Sequence, residues 1–206
     1  MACMDAVAVA MLSDIQGSVC SYVLSDEISV LLTDFKYPET EAWFGGNLQK
    51  MASVSASIAT GVFNKSFQMK FPDKPVAFFD SRVFTIPDPV EVENYFIWRQ
   101  KDAIRNSIQN MGLSCFSSKE LNKKSCSDIK EMLKEIGEDW ETLPAYYQRG
   151  TFFRRSTEGL ITEYMDFIEE REKFRSIIPQ YPIFDDLLKA GIERYEEGRN
   201  TYYDDY

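Results

Sequence analysis

The 206-residue chain holds 33 acidic against 23 basic residues, no histidine, and 44% hydrophobic with 14% aromatic residues. That balance belongs to a folded globular protein, not a disordered one, and no apolar run reaches the roughly 18 residues that suggest a membrane span. Without histidine, Ser–His and Cys–His nucleophile systems are excluded, and polar chemistry must rest on carboxylates, metal ions, Lys and Arg.

The first residues, Met1-Ala2-Cys3-Met4-Asp5, lack the basic stretch of a secretory signal. Four cysteines without a C-x-x-C pair give no zinc site and read as free thiols in a reducing cytoplasm. Val7, Met11 and Ile15 recur at spacings of four and predict a helix over 5–16, stopped by Gly17. Strand-like runs follow at 19–24 and 28–32, with Ser25-Asp26-Glu27 between them. The stripe Phe44, Leu48, Met51, Ser55, Ile58 and Val62 predicts a second helix over 41–64. Pro72 and Pro75 interrupt the chain, and 76–79 and 83–86 read as strands around Asp80-Ser81-Arg82. A third helix is predicted over 90–111 after Pro87 and Pro89. Ser127-Asp128 is read as the cap of a helix over 129–136, and 151–155 as a closing strand after Gly150.

From Ser156 onward the chain reads as a mainly helical extension, split by Pro179 and Pro182. It carries net charge −7, against −3 for the first 155 residues. An acidic extension on a near-neutral body leaves room for a local basic groove. The expected class is α+β, with helices on one face of a largely antiparallel sheet. The domain is expected over 1–155 and the acidic extension over 156–206.

Three sets of residues have the makings of a site. In Ser25-Asp26-Glu27, two carboxylates interrupt an apolar strand region. If the flanking runs pair, they sit at the end of a sheet, where Mg²⁺ takes one or two carboxylates plus phosphates and water; a plain polar turn is the alternative. On the third helix Arg99, Asp102, Asn106 and Gln109 recur at three, four and three, a polar stripe able to meet a phosphate or a base edge, or simply a solvated face. Lys50 and Arg82 are lone cations, either of which can hold a triphosphate or stand as a surface charge. Gly45-Gly46 lacks the G-x-x-x-x-G-K context of a phosphate loop.

Taken in order, Ser25-Asp26-Glu27-Ile28-Ser29, Ala42-Trp43-Phe44, Gln49-Lys50, Ser53-Val54-Ser55-Ala56-Ser57, Phe79-Asp80-Ser81-Arg82-Val83-Phe84, Tyr95-Phe96-Ile97-Trp98-Arg99-Gln100-Lys101-Asp102-Ala103, Arg105-Asn106-Ser107-Ile108 and Tyr147-Gln148-Arg149-Gly150 resemble the tRNA-His guanylyltransferase-like family of reverse (3′–5′) polymerases. The resemblance spans about residues 5–155.

The resemblance implies a polymerase palm-like antiparallel sheet with helices, and two Mg²⁺ ions held by carboxylates. It implies Asp26 as metal ligand and, with Glu27, a catalytic residue, with Ser25 beside them. The family's other carboxylate belongs to an Asp-Gly-Arg motif on a first strand upstream of the first helix, and that motif is missing here. The chain therefore reads as an incomplete fragment, or as a degenerate relative that binds tRNA without catalysing. By the same resemblance, Ser25, Lys50 and Arg82 bind the triphosphate, and Arg99, Asp102, Asn106 and Arg149 position nucleotide or tRNA end. GTP and ATP are implied as substrate and activator, tRNA as partner, a homotetramer as the assembly and the cytoplasm as the compartment. Members dedicated to tRNA-His carry His-Ile-Asn-Asn in the third helix. Ile104-Arg105-Asn106-Ser107 stands there instead and is similar to the bacterial, archaeal and phage-type branch, which implies templated repair of 5′-truncated tRNAs.

Overall fold

The computed structural model describes residues 2–36, 39–157 and 159–181. Helix α1 (Ala2–Asp14) leads into strands β1 (Ser18–Leu24) and β2 (Glu27–Leu32). A short 3₁₀ turn (Trp43–Gly46) precedes α2 (Leu48–Gln68), and an extended stretch then reaches α3 (Pro89–Cys115). Next come α4 (Cys126–Glu135), a 3₁₀ turn (Trp140–Thr142), α5 (Ala145–Arg149), β3 (Thr151–Ser156), β4 (Gly159–Glu163) and α6 (Arg171–Ile177).

The four strands form one antiparallel sheet in the order β2-β1-β3-β4. The α+β class is as expected, but helices cover both faces of the sheet, not one. Val23 and Phe153 point toward Met4, Ala8 and Leu12 of α1. Tyr22, Leu24 and Phe152 point the other way, into Phe96, Phe167 and Phe174. β1 is therefore buried on both sides along most of its length, and its near-continuous apolar run Val19–Leu24 is the sequence of a strand enclosed between two layers.

Four local expectations change. The second helix begins at Leu48, because Phe44, Gly45 and Gly46 take left-handed φ values of 53°, 59° and 73°, and Asn47 accepts the Lys50 amide at 3.0 Å as its cap. The cap of α4 is Ser125, not Ser127-Asp128; Asp128 is the third helical residue of a capping box and bonds back to the Ser125 amide. Segments 76–79 and 83–86 join no sheet. The backbone at Ala77 and Phe79 is instead held by α2 side chains: Asn64 exchanges two 2.8 Å bonds with Ala77, and Thr60 Oγ1 accepts the Phe79 amide.

The stretch after Ser156 opens with a strand, not a helix. β4 pairs with β3 through residue 163, and Met165, Phe167, Phe174 and Ile178 enter the same core as β1. Gln100, fully buried on α3, pins this return: its amide nitrogen donates to the Met165 carbonyl (2.9 Å) and its oxygen accepts the Phe167 amide (2.8 Å). The rest of the predicted acidic extension, 182–206, lies outside the described residues.

Candidate active site at the hairpin tip

β1 and β2 pair down to Leu24 and Glu27, leaving Ser25-Asp26 as a two-residue loop. Ser25 takes a left-handed φ of 52°, an uncommon conformation for a residue with a Cβ. The tip is exposed, and Asp26 makes no ion pair or hydrogen bond with the other described residues. Its carboxylate is free for an external partner.

Glu27 is held. Arg99 of α3 grips it with two bonds, Nε to Oε1 at 2.8 Å and Nη2 to Oε2 at 2.6 Å, the fork geometry that gives an Arg–carboxylate pair its directional strength. The Arg99 side chain is only 12% exposed, so solvent screens the pair less than an ordinary surface bridge. Asp102 continues the network, 3.5 Å from Arg99, 2.5 Å from Arg105, and accepting from Asn106 Nδ2 at 3.4 Å. Three of the predicted stripe residues, Arg99, Asp102 and Asn106, thus converge with Glu27. Gln109 is exposed farther along the helix.

The other predicted residues stand apart. Arg149 pairs with Asp166 at 3.0 Å, and its carbonyl accepts the Tyr22 hydroxyl at 2.6 Å. Burial pushes the Tyr22 hydroxyl pKa upward, and that hydroxyl also feels the charges of Arg99, Glu27 and Asp166. Tyr22 therefore sits between the Arg99–Glu27 and Arg149–Asp166 pairs. Lys50 lies over the Phe44 ring, 4.4 Å from its centroid. Arg82 is 88% exposed, with Asp80 as a loose 3.8 Å partner. Neither cation contacts the Asp26 turn. Ser29 bonds Tyr95 (2.9 Å) just below it, on the strand side. Asp166 and Tyr22 escaped the sequence reading because nothing local marks them; their roles come from contacts 17 and 127 residues away.

Among the described residues, no group of three or more His, Cys, Asp or Glu side chains converges as a metal site. With Glu27 committed to Arg99, the set fits a single carboxylate contribution to Mg²⁺, from Asp26, and does not by itself make a two-ion site.

A family model described as tRNAHis guanylyltransferase matches residues 1–87. The solved structure of a bacterial tRNA(His) guanylyltransferase-like protein in complex with ATP is 35% identical, with a TM-score of 0.82 over 87% of this chain and 79% of that one. A second, in complex with GTP, is 32% identical with a TM-score of 0.71, over 87% and 77%. A probable tRNA(His) guanylyltransferase of Drosophila melanogaster is 28% identical over 74% of this chain, which spans 56% of that relative's length. The chain belongs to the tRNA-His guanylyltransferase family. No helix among the described residues is long and apolar enough to cross a membrane.

Proposed function

We propose that this chain is a tRNA 5′-end nucleotidyltransferase that adds guanylate in the 3′–5′ direction, in tRNA-His maturation or 5′-end repair. The carrying observation is the hairpin tip: a free carboxylate, Asp26, stands beside a carboxylate that Arg99 holds fixed. It is supported by likeness to relatives whose structures contain ATP and GTP.

In this reading a nucleoside triphosphate activates the 5′-monophosphate of the RNA, and the 3′-hydroxyl of the incoming nucleotide then attacks that phosphorus. Mg²⁺, when bound, would neutralise phosphate charge and lower the pKa of the attacking hydroxyl. Asp26 would hold it. Arg99 keeps Glu27 from swinging toward the phosphates and sets the shape of the tip. Lys50 and Arg82, exposed and mobile enough to reach a bound phosphate chain, would neutralise triphosphate oxygens. Asn106 and Arg105 would meet the nucleotide or the tRNA end across the helix face. Arg149 would act from behind Tyr22, through its pair with Asp166, as a positioning residue. The active form would be a homo-oligomer in the cytoplasm.

A second reading is favoured by the absence of a three-carboxylate cluster among the described residues: a tRNA-binding or assembly module without transfer activity. Incubation with Mg²⁺, labelled GTP and a 5′-monophosphorylated, 5′-truncated tRNA separates the two. Label incorporated by the native chain and lost in Asp26→Asn supports transfer. Retained tRNA binding without incorporation supports the module.

A further inference from the structure

Between β2 and the extended stretch before α3 lies a groove of about 600 Å³. One wall is β2 itself, an edge strand whose only ladder partner is β1. Because Leu24 and Glu27 close a two-residue loop, hydrogen-bonded pairs alternate from there, and Ile28 and Val30 turn their backbone N–H and C=O away from β1 toward the groove. The opposite wall is formed by residues 81–87. Residues 80–87 make no backbone hydrogen bond with other described residues. Met11 and Met51, from the α1/α2 layer, bound the groove on one sheet face, and Val92 and Tyr95 of α3 bound it on the other.

A ligand that fills this space meets unpaired backbone groups at both edges and apolar side chains on both faces. An extended polypeptide has this complementary form, with hydrogen-bonding groups at its two edges and side chains alternating between its two faces. The exposed edge strands of a second copy do not qualify. β2 and β4 are each hydrogen-bonded along one edge already, so neither presents the two free edges that the walls require. Residues 182–206 do not qualify either. They contain seven acidic and three basic residues and no uncharged run longer than four, whereas a strand covered on both faces needs a near-continuous apolar run.

We infer that this groove binds an extended, apolar, β-branched peptide supplied in trans, which completes the sheet as its fifth strand beyond β2. Strand capture here does not depend on nucleotide transfer at Asp26.

The test titrates the full 206-residue chain with a panel of ten-residue peptides, each with a Val/Ile/Thr core flanked by lysines. Each has a control bearing proline at its centre. The readout is residue-resolved amide exchange. The expected result is fast exchange at Ile28 and Val30 in the free chain and at least tenfold slower exchange with peptide. Proline controls should have no effect. Val30→Pro removes an outward donor but leaves the β1 ladder intact, a position at which an edge strand tolerates proline; it should weaken peptide binding at least tenfold while the thermal melt stays cooperative. No slowing with any peptide up to its solubility limit overturns the inference, as does equal binding by Val30→Pro. So does protection already present in the free chain: if it depends on concentration, a second copy fills the groove, and if it does not, the chain's own remaining residues do.

Discussion

Arg99 and Glu27 are 72 residues apart in the chain and meet in a two-pronged bond of 2.8 and 2.6 Å. That bond ties the tip of the β1–β2 hairpin to the middle of α3 and leaves Asp26 as the free carboxylate. If the pair shapes the tip, Arg99→Lys keeps the charge but loses the fork. It should lower guanylate transfer roughly tenfold, and Arg99→Ala roughly a hundredfold, the scale of a small misplacement at a reacting centre. Transfer rates measured beside a thermal melt check this. A melt that falls by more than a few degrees while the rate holds would make the pair structural only.

Asp26 is exposed and unbonded among the described residues, so Asp26→Asn should leave stability within about 0.5 kcal/mol. Mg²⁺-dependent GTP binding, followed by calorimetry, should fall below detection. Unchanged binding would remove Asp26 from the metal-holding role.

Glu93 on α3 is fully buried and is bonded by both Arg171 and Arg175 of α6. The hydrogen bond from Arg175, then that from Arg171, hold its pKa below the ordinary glutamate value against the opposing effect of burial. A depressed carboxylate stabilises the fold above its unfolded pKa, near 4.5, and loses that contribution as pH falls through the lower folded value. Acid titration should therefore release α6 below about pH 4.5, and Glu93→Gln should flatten that acid limb. The substitution should also cost about 2–3 kcal/mol at neutral pH, because it leaves two arginines short of their partner. Denaturant unfolding at pH 7 and pH 4 measures both effects.

Gly150 joins α5 to β3 at φ 81°. A Cβ there would lie 2.3 Å from the Val23 carbonyl oxygen and 2.9 Å from the Tyr22 ring and hydroxyl. Gly150→Ala should destabilise the chain by about 3 kcal/mol, since strained backbone and backbone overlap add. It should also weaken the Tyr22–Arg149 bond. Chemical denaturation and the tyrosine environment by NMR read the two consequences. A loss under 1 kcal/mol would show that the junction relaxes freely.

Much of the site was legible as types of residue in a row. A pair of carboxylates between two apolar runs has few structural readings, and the hairpin placed them where expected. The stripe on α3 was legible because helical spacing is local: Asp102 meets Arg99, Arg105 and Asn106 within four residues. The bond from that stripe to Glu27 was not, because no local pattern encodes a contact across 72 residues. Gln100 and Glu93 look like ordinary polar helix residues in sequence. Burial alone, imposed by β4 and α6 folding back over α3, turns them into fastenings.

What the sequence by itself determined is the set of elements whose signals are local: α1, the β1–β2 hairpin with its acidic tip, α3, and β3 after Gly150. Periodicity and turn chemistry act over a few residues, so they survive without a partner. Only the tertiary structure decided the rest. The run 83–86 has the composition of a strand, yet it makes no ladder, because a strand is defined by its neighbour and β2 lies across an open groove from it. The stretch after Ser156 is polar enough to read as helix, yet 159–163 pair with β3, because an edge offering unpaired N–H and C=O groups outweighs weak local preference.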